Sequence, residues 1–348
     1  MLCGCTDDEQ ITHNILISEY KGKTDSINVD YLERWSAPNA QLMISSDDYT
    51  VLVSQDDSVK IYVALNREKN FEEIRDIHGS GPGKLLSVYS LSHEFGNTIN
   101  IYDGITKRIN KVDIERLMSN VGRNNSDYKE SFVYINKLSI DGLVFDVKGR
   151  NNNWYATGLM PDSRIKYIEG STETNVESLL RNNKLQSETV FNHSMHSVIS
   201  LHPKFNRLAV ATKYSDIIEI YKDIESDTLI SIVDNSLPVF HVDSIGSPTG
   251  RFMMSGETVL GHEAITSDNT YIYTLYSGYH VYEEQVYTRL NIIDWSGNIV
   301  NTYILNTKAF DISSYGDTIL ILTQDILSQS ETNASTYIYS ISKSRLIG

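Results

Sequence analysis

The sequence predicts an all-β fold, a six-bladed β-propeller of four-stranded antiparallel blades whose ring is closed by an N-terminal strand. Three observations carry that prediction. The composition favours strands, with 22 tyrosines among 348 residues and frequent Ile, Val and Thr. The chain reads as short β-rich runs broken by turn residues, with no long segment of helical period. One strand-and-turn pattern also recurs along the chain at the spacing of about 40 to 50 residues that marks propeller blades.

The first copy runs from Met43 to Ile74: Met43–Val53 holds two strands around a polar turn, Val59–Val63 is a third and Phe71–Ile74 a fourth. Two further copies centre on Ile99–Asp103 and Trp154–Thr157. The next opens at Val198-Ile199-Ser200 and continues through Ile217–Tyr221 and Thr228–Ile232. Another opens at Ala264-Ile265-Thr266 and passes Tyr271–Tyr276 to Leu290–Val300, where Trp295-Ser296-Gly297-Asn298 reads as a hairpin turn. The last opens at Phe310–Ser313, passes Thr318–Leu322 and ends in Thr336–Ser340.

Third-strand landmarks at Ile61, Ile101, Tyr155, Ile220, Ile292 and Ile338 are unevenly spaced, which places insertions around 115–131, 171–195 and 278–287. Loops of this kind are where function concentrates. The run Ile15-Leu16-Ile17-Ser18 has no blade of its own. A closed ring leaves no edge exposed, so this run is expected as the outer strand of the last blade.

Composition narrows the function. Acidic residues outnumber basic ones by 45 to 30, giving a net charge of −15, and no basic run is long enough to track a phosphate backbone. Nucleic acid is therefore not an expected partner. No apolar stretch approaches the roughly 20 residues needed to cross a bilayer, so a membrane is reached only through a lipid anchor. Six prolines and no Pro-rich linker argue for one domain, and a monomer is expected.

Both cysteines lie at the extreme amino terminus, so the folded body has no thiol for a disulfide, a metal cluster or a nucleophile. Leu2-Cys3-Gly4-Cys5 resembles a bacterial lipobox, with Cys5 as the lipid attachment residue. The acidic stretch Thr6–Gln10 that follows is similar to the surface-export signal of Bacteroides-type lipoproteins. Residues 1–10 are thus expected to be a lipobox remnant and tether, and residues 11–348 a single propeller. The implied address is the outer membrane, facing the surface or the periplasm.

Three segments carry a wider resemblance. His78-Gly79-Ser80-Gly81-Pro82-Gly83-Lys84, the hairpin from Ile101-Tyr102-Asp103 to Ile114, and Asn291–Asn298 resemble the TolB-like six-bladed propeller lipoproteins of Bacteroides-type bacteria. Lys84 and Leu85 stand where the family carries Glu and Phe. The glycines serve a tight turn, because neither a helix nor a Lys-Ser/Thr pair follows to make a phosphate loop.

Candidate site residues come from aligning the blades with one another. His196 and His262 fall just ahead of the innermost strands Val198-Ile199-Ser200 and Ala264-Ile265-Thr266, and Gln41 holds that position in the first blade. Such residues converge on the channel mouth, where propellers bind small ligands or peptides. His193, His196 and His202 make a poor metal set, since strand alternation points the first two apart and no cysteine joins them. Pairs such as His241 with Asp243 and His262 with Glu263 are ordinary products of turns in an acidic protein. No Gly-x-Ser-x-Gly elbow is present, and no cofactor is expected. The expected function is a non-catalytic envelope lipoprotein that binds a glycan, a peptide or an envelope partner. The alternative is a propeller glycosidase or lyase with carboxylates, or a His-Tyr-Arg set, converging at the channel mouth.

Overall fold

The computed structural model describes residues 16–18, 24–74, 77–81, 83–94, 96–119, 130–176, 188–223, 228–233, 237–243, 250–324 and 336–347. Its core is six antiparallel four-stranded blades. Blade 1 comprises Leu42–Ser45, Tyr49–Ser54, Lys60–Leu65 and Glu72–Ile74. Blade 2 comprises Val88–His93, Thr98–Asp103, Arg108–Asp113 and Phe132–Lys137. Blade 3 comprises Leu143–Arg150, Asn153–Leu159, Ile165–Glu169 and Thr172–Asn175.

Blade 4 comprises Ser197–Leu201, Leu208–Thr212, Ile218–Asp223 and Thr228–Val233. Blade 5 comprises His262–Ser267, Tyr271–Tyr276, Thr288–Asp294 and Ile299–Leu305. Blade 6 takes Ala309–Tyr315, Thr318–Gln324 and Thr336–Ser342 from the end of the chain and Glu33–Ala37 from its beginning. The first strand of each blade touches the first strand of the next, and blade 6 touches blade 1, so the ring is closed.

Blade faces stack on one another, so central strands are apolar on both sides rather than alternating. Leu208–Thr212 is buried at every position. The apolar residues gather into six clusters, one for each interface between blades. Full burial of one such Leu or Ile side chain stabilises by about 1.5–3 kcal/mol, so each interface is a substantial part of the core. Buried polar groups tie neighbours as well: Arg164 reaches from blade 3 to Glu219 in blade 4, with both side chains at most 2% exposed.

An N-terminal strand does close the ring, but it is not the expected one. Leu16–Ser18 pairs in parallel with the outer strand of blade 4, and Thr24–Ile27 likewise with the outer strand of blade 5. Closure falls to Glu33–Ala37, antiparallel to Thr336–Ser342. The reason is packing at the interface of blades 6 and 1. Trp35 fills a cluster with Leu52, Leu320, Leu322 and Ile338, a role that a strand on blade 4 cannot serve.

Two landmarks also move. Ile101 and Tyr155 lie on second strands, because Val88–His93 and Leu143–Arg150 precede them as the innermost strands. Second and third strands are equally buried, so hydrophobicity alone does not distinguish them. His193 belongs to the short helix Glu188–Ser194, not to a strand. Between blades 4 and 5 stands an additional hairpin, Phe240–Asp243 with Arg251–Met254, outside the expected insertions. The turns behave as read: Gly79 and Gly83 have φ of 135° and 67°, and Gly297 in the Trp-Ser-Gly-Asn turn has φ of 88°.

Candidate functional site at the channel mouth

A cavity of about 870 Å³ lies on the ring axis and is lined by the innermost strands of all six blades. Four of those strands carry a β-bulge close to their first residue. The partner register skips Tyr89 in blade 2, Phe145 in blade 3, Glu263 in blade 5 and Phe310 in blade 6. A bulge leaves its extra residue out of the ladder and re-aims the side chain. Gln41 and His196 hold the corresponding positions in blades 1 and 4, immediately ahead of strands without a bulge. The mouth is therefore a ring of Gln41, Tyr89, Phe145, His196, Glu263 and Phe310, all of which line the cavity.

Of the three residues drawn from the internal alignment, Gln41 and His196 sit in this ring and His262 does not. His262 is fully buried, 3.3 Å through Nε2 from Asp216 and 5.2 Å between ring centres from Tyr276. The bulge explains the separation. His262 pairs with Tyr276 and Ala264 with Leu275, so Glu263 projects where a regular ladder would have placed its neighbour. Gly261 permits the approach, since a Cβ there would meet the carbonyls of Ser215 and Thr212.

Aromatic groups form one arc of the mouth. Ring centres are 5.8 Å apart between Tyr89 and Phe145, 4.8 Å between Phe145 and His196, and 6.3 Å between His196 and Tyr214. The row continues from Tyr214 to Phe252 at 5.1 Å and to Phe240 at 5.3 Å, which links the channel to the inserted hairpin. Burial, reinforced by nearby Lys213, lowers the His196 pKa to about 3, so its imidazole is neutral at physiological pH. Gln41 donates from Nε2 to Asp56 at 3.1 Å and accepts the amide of Gln55 at 2.8 Å.

Charged groups line the channel at and below the ring. Lys148 pairs with Asp146 at 3.0 Å, and Lys213 donates to the Glu263 carbonyl at 2.6 Å with the Glu263 carboxylate 3.4 Å away. Asp146 accepts the Ile199 amide at 2.9 Å and the Ser90 hydroxyl at 2.6 Å. Asp311 accepts the amides of Met43 and Ile312 at 2.6 and 2.8 Å. Desolvation raises its pKa to about 6 against the pull of those amides and of Lys148 and Lys213. His93, on the wall near the far end, is held below the ordinary histidine value by burial.

Two other histidines, His202 and His241, are structural or peripheral. His202 accepts the amides of Lys204 and Phe205 at Nδ1, places Nε2 3.1 Å from the Asn269 carbonyl and packs against Trp295. That arrangement makes Nε2 the protonated nitrogen. His241 and Asp243 lie on the inserted hairpin opposite Met253 and Arg251. Among the described residues no cluster of His, Cys, Asp and Glu has metal-binding geometry. Cys5 lies outside the described residues.

Sequence reasoning missed Tyr89, Phe145 and Phe310, and set Glu263 aside as part of an ordinary turn pair. One signal was available, the repeated Phe-Asp pair at 145–146 and 310–311, which occupies the same position in blades 3 and 6.

Comparison with known proteins places the architecture. The model of TolB-like 6-blade propeller-like proteins matches residues 54–315. Among solved structures, a putative exported protein from Bacteroides fragilis NCTC 9343 aligns with a TM-score of 0.55 at 12% identity, covering 94% of this chain and 99% of its own. A member of the DUF4221 family from Bacteroides vulgatus ATCC 8482 aligns with a TM-score of 0.53 at 10% identity, covering 89% and 97%. Such identities carry the fold alone. Among curated proteins none matches the chain.

Proposed function

Because the chain belongs to the TolB-like family of six-bladed propellers, we propose that it is a non-catalytic binding module of the cell envelope, receiving a glycan, a peptide or the end of a partner chain at the channel mouth. The observation that carries this reading is the ring of Gln41, Tyr89, Phe145, His196, Glu263 and Phe310 above the 870 Å³ cavity. Aromatic faces, a neutral imidazole, an amide and a carboxylate suit a ligand that is partly apolar and partly hydrogen-bonding. Four bulges aimed at one mouth also favour a site over incidental strand ends.

The envelope address is supported by the lipobox-like Leu2-Cys3-Gly4-Cys5 and by the fold shared with a protein described as exported. The first described strand, Leu16–Ser18, runs parallel to Thr228–Val233 and so enters from the end of blade 4 opposite the mouth ring.

Thermal-shift screening of glycans and peptides, followed by a structure with any hit, tests the site. A hit is expected to raise the unfolding temperature of the wild type and to lose that effect in Phe145→Ala and His196→Ala. A ligand bound away from the mouth ends the proposal. Labelling with a lipid precursor tests the address: Cys5→Ala is expected to abolish incorporation, and retention of label ends the lipoprotein reading.

One observation favours a second reading. Asp311 and Asp146 line the same cavity, and a carboxyl held at about 6 is placed to act as a general acid. Turnover of a bound glycan, lost in Asp311→Asn, identifies a glycosidase or lyase; binding without turnover upholds the binding module.

A further inference from the structure

Among the cavity-lining carboxylates, Asp311 is distinguished by its lack of a counter-charge. Glu94 pairs with Lys111, Asp146 with Lys148, Glu263 with Lys213 and Asp268 with Lys343. Asp47 is exposed to solvent. Asp311 is half-buried in the channel wall beside Phe310, and among the described residues no cationic side chain forms an ion pair with it. Lys148 and Lys213 act on it only across the channel.

The contrast with Asp146 sharpens the point. Each aspartate follows a bulged phenylalanine, and each accepts an amide from the innermost strand of the next blade, Ile199 for Asp146 and Met43 for Asp311. Blades 3 and 6 stand opposite each other in a six-membered ring. Two residues further on, blade 3 supplies Lys148 and blade 6 supplies Ser313. Asp146 thus has a cation beside it and Asp311, on the facing wall, does not.

Two amide bonds stabilise the Asp311 carboxylate without neutralising it, and a partly buried ionised group remains costly until a counter-charge arrives. Its raised pKa has that origin. Lys148 and Lys213 each face a carboxylate of their own, which leaves a net attraction for a cation at the blade 6 wall. The overall charge of −15 draws cations from solution as well.

We infer that the channel receives a ligand bearing a protonated amine or guanidinium, which passes the mouth ring and sets its cationic group on Asp311. This inference rests on the channel-mouth reading of function and adds the chemical class of the ligand. The contact is a charge-assisted hydrogen bond from the ligand nitrogen to a carboxylate oxygen that retains a free lone pair beside its amide partner.

Two matched pairs of probes test it: glucosamine with N-acetylglucosamine, and Nα-acetyl-lysine amide with Nα,Nε-diacetyl-lysine amide. Each pair differs in one cationic group. Affinities are measured by protein-observed NMR at neutral pH, and wild-type crystals are soaked with both amines. The amine of at least one pair is expected to bind about tenfold more tightly than its acetylated twin. Its nitrogen is expected within hydrogen-bond distance of the Asp311 carboxylate in the soaked crystal. Asp311→Asn should erase the difference between twins, and the wild-type soak decides the matter if that variant fails to fold.

Equal affinity within both pairs, no binding of either amine, or a nitrogen seated away from Asp311 overturns the inference. Failure of the underlying reading looks different. An acetylated probe that binds at the ring and is lost in Phe145→Ala upholds the mouth site while refuting the cation, whereas a probe bound outside the channel refutes both.

Discussion

Replacing Asp311 by asparagine should change the pH dependence of stability in a direction that the structure specifies. Desolvation lifts the carboxyl from 3.8 to about 6 in the folded protein. The folded state therefore binds this proton more tightly than the unfolded chain, and the stability it contributes is fully present below 3.8 and lost as pH rises through about 6. The gap corresponds to about 3 kcal/mol lost at neutral pH.

Asparagine carries no charge and escapes that loss. Its single amide oxygen can accept only one of the bonds now made by Met43 and Ile312, which costs about 1 kcal/mol. Asp311→Asn is thus expected to be about 2 kcal/mol more stable than wild type near pH 8 and about 1 kcal/mol less stable near pH 3. Lys148, Lys213, His93 and His196 face the same channel but are common to both proteins, so the difference between the two urea-unfolding curves isolates residue 311. A difference that stays constant with pH refutes the claim that Asp311 is an uncompensated carboxylate.

Glu219→Ala leaves the buried Arg164 without its carboxylate and should cost about 3–5 kcal/mol in urea unfolding, with much of the loss recovered when Arg164→Met is added. A cost within experimental error would show that the pair is hydrated. Trp35→Ala empties the cluster between blades 6 and 1 and should cost about 3–5 kcal/mol by the same measurement. Removal of residues 33–37 should expose the Thr336–Ser342 edge and promote association, read by light scattering. Gly104→Ala places a methyl group against the Tyr89 ring, so it should displace that ring from the mouth and weaken any ligand held there, seen by crystallography and titration. An unmoved Tyr89 would mean that the strand, not the ring, gives way.

Much of the ring was legible from residue patterns because each blade interface needs its own apolar set. Phe71–Ile74, Ile217–Tyr221 and the Trp-Ser-Gly-Asn turn fall where strand and turn chemistry place them. The closing strand was hidden because Glu33-Arg34-Trp35-Ser36-Ala37 offers one large apolar residue among polar ones. Its partner lies some 300 positions away in sequence, and no local signal reports that pairing. Leu16–Ser18 looked more like a core strand and sits instead on the outside of blade 4.

The candidate site divided in the same way. Gln41 and His196 were reached by aligning blades, since in those blades the ladder is regular up to the first strand. His262 was one residue out, and a one-residue slip turns a side chain from the channel to the interior of the blades.

What the order of amino acids decided was the architecture, since period, turn residues and apolar content act over short distances and repeat six times. Tertiary structure decided which residues face the axis. Bulges at Tyr89, Phe145, Glu263 and Phe310 depend on how two strands settle against each other, and the isolation of Asp311 depends on which side chains five other blades bring near it. Charge compensation inside a channel is a property of three-dimensional neighbours, so an aspartate with a lysine beside it and one without read alike until the ring is closed.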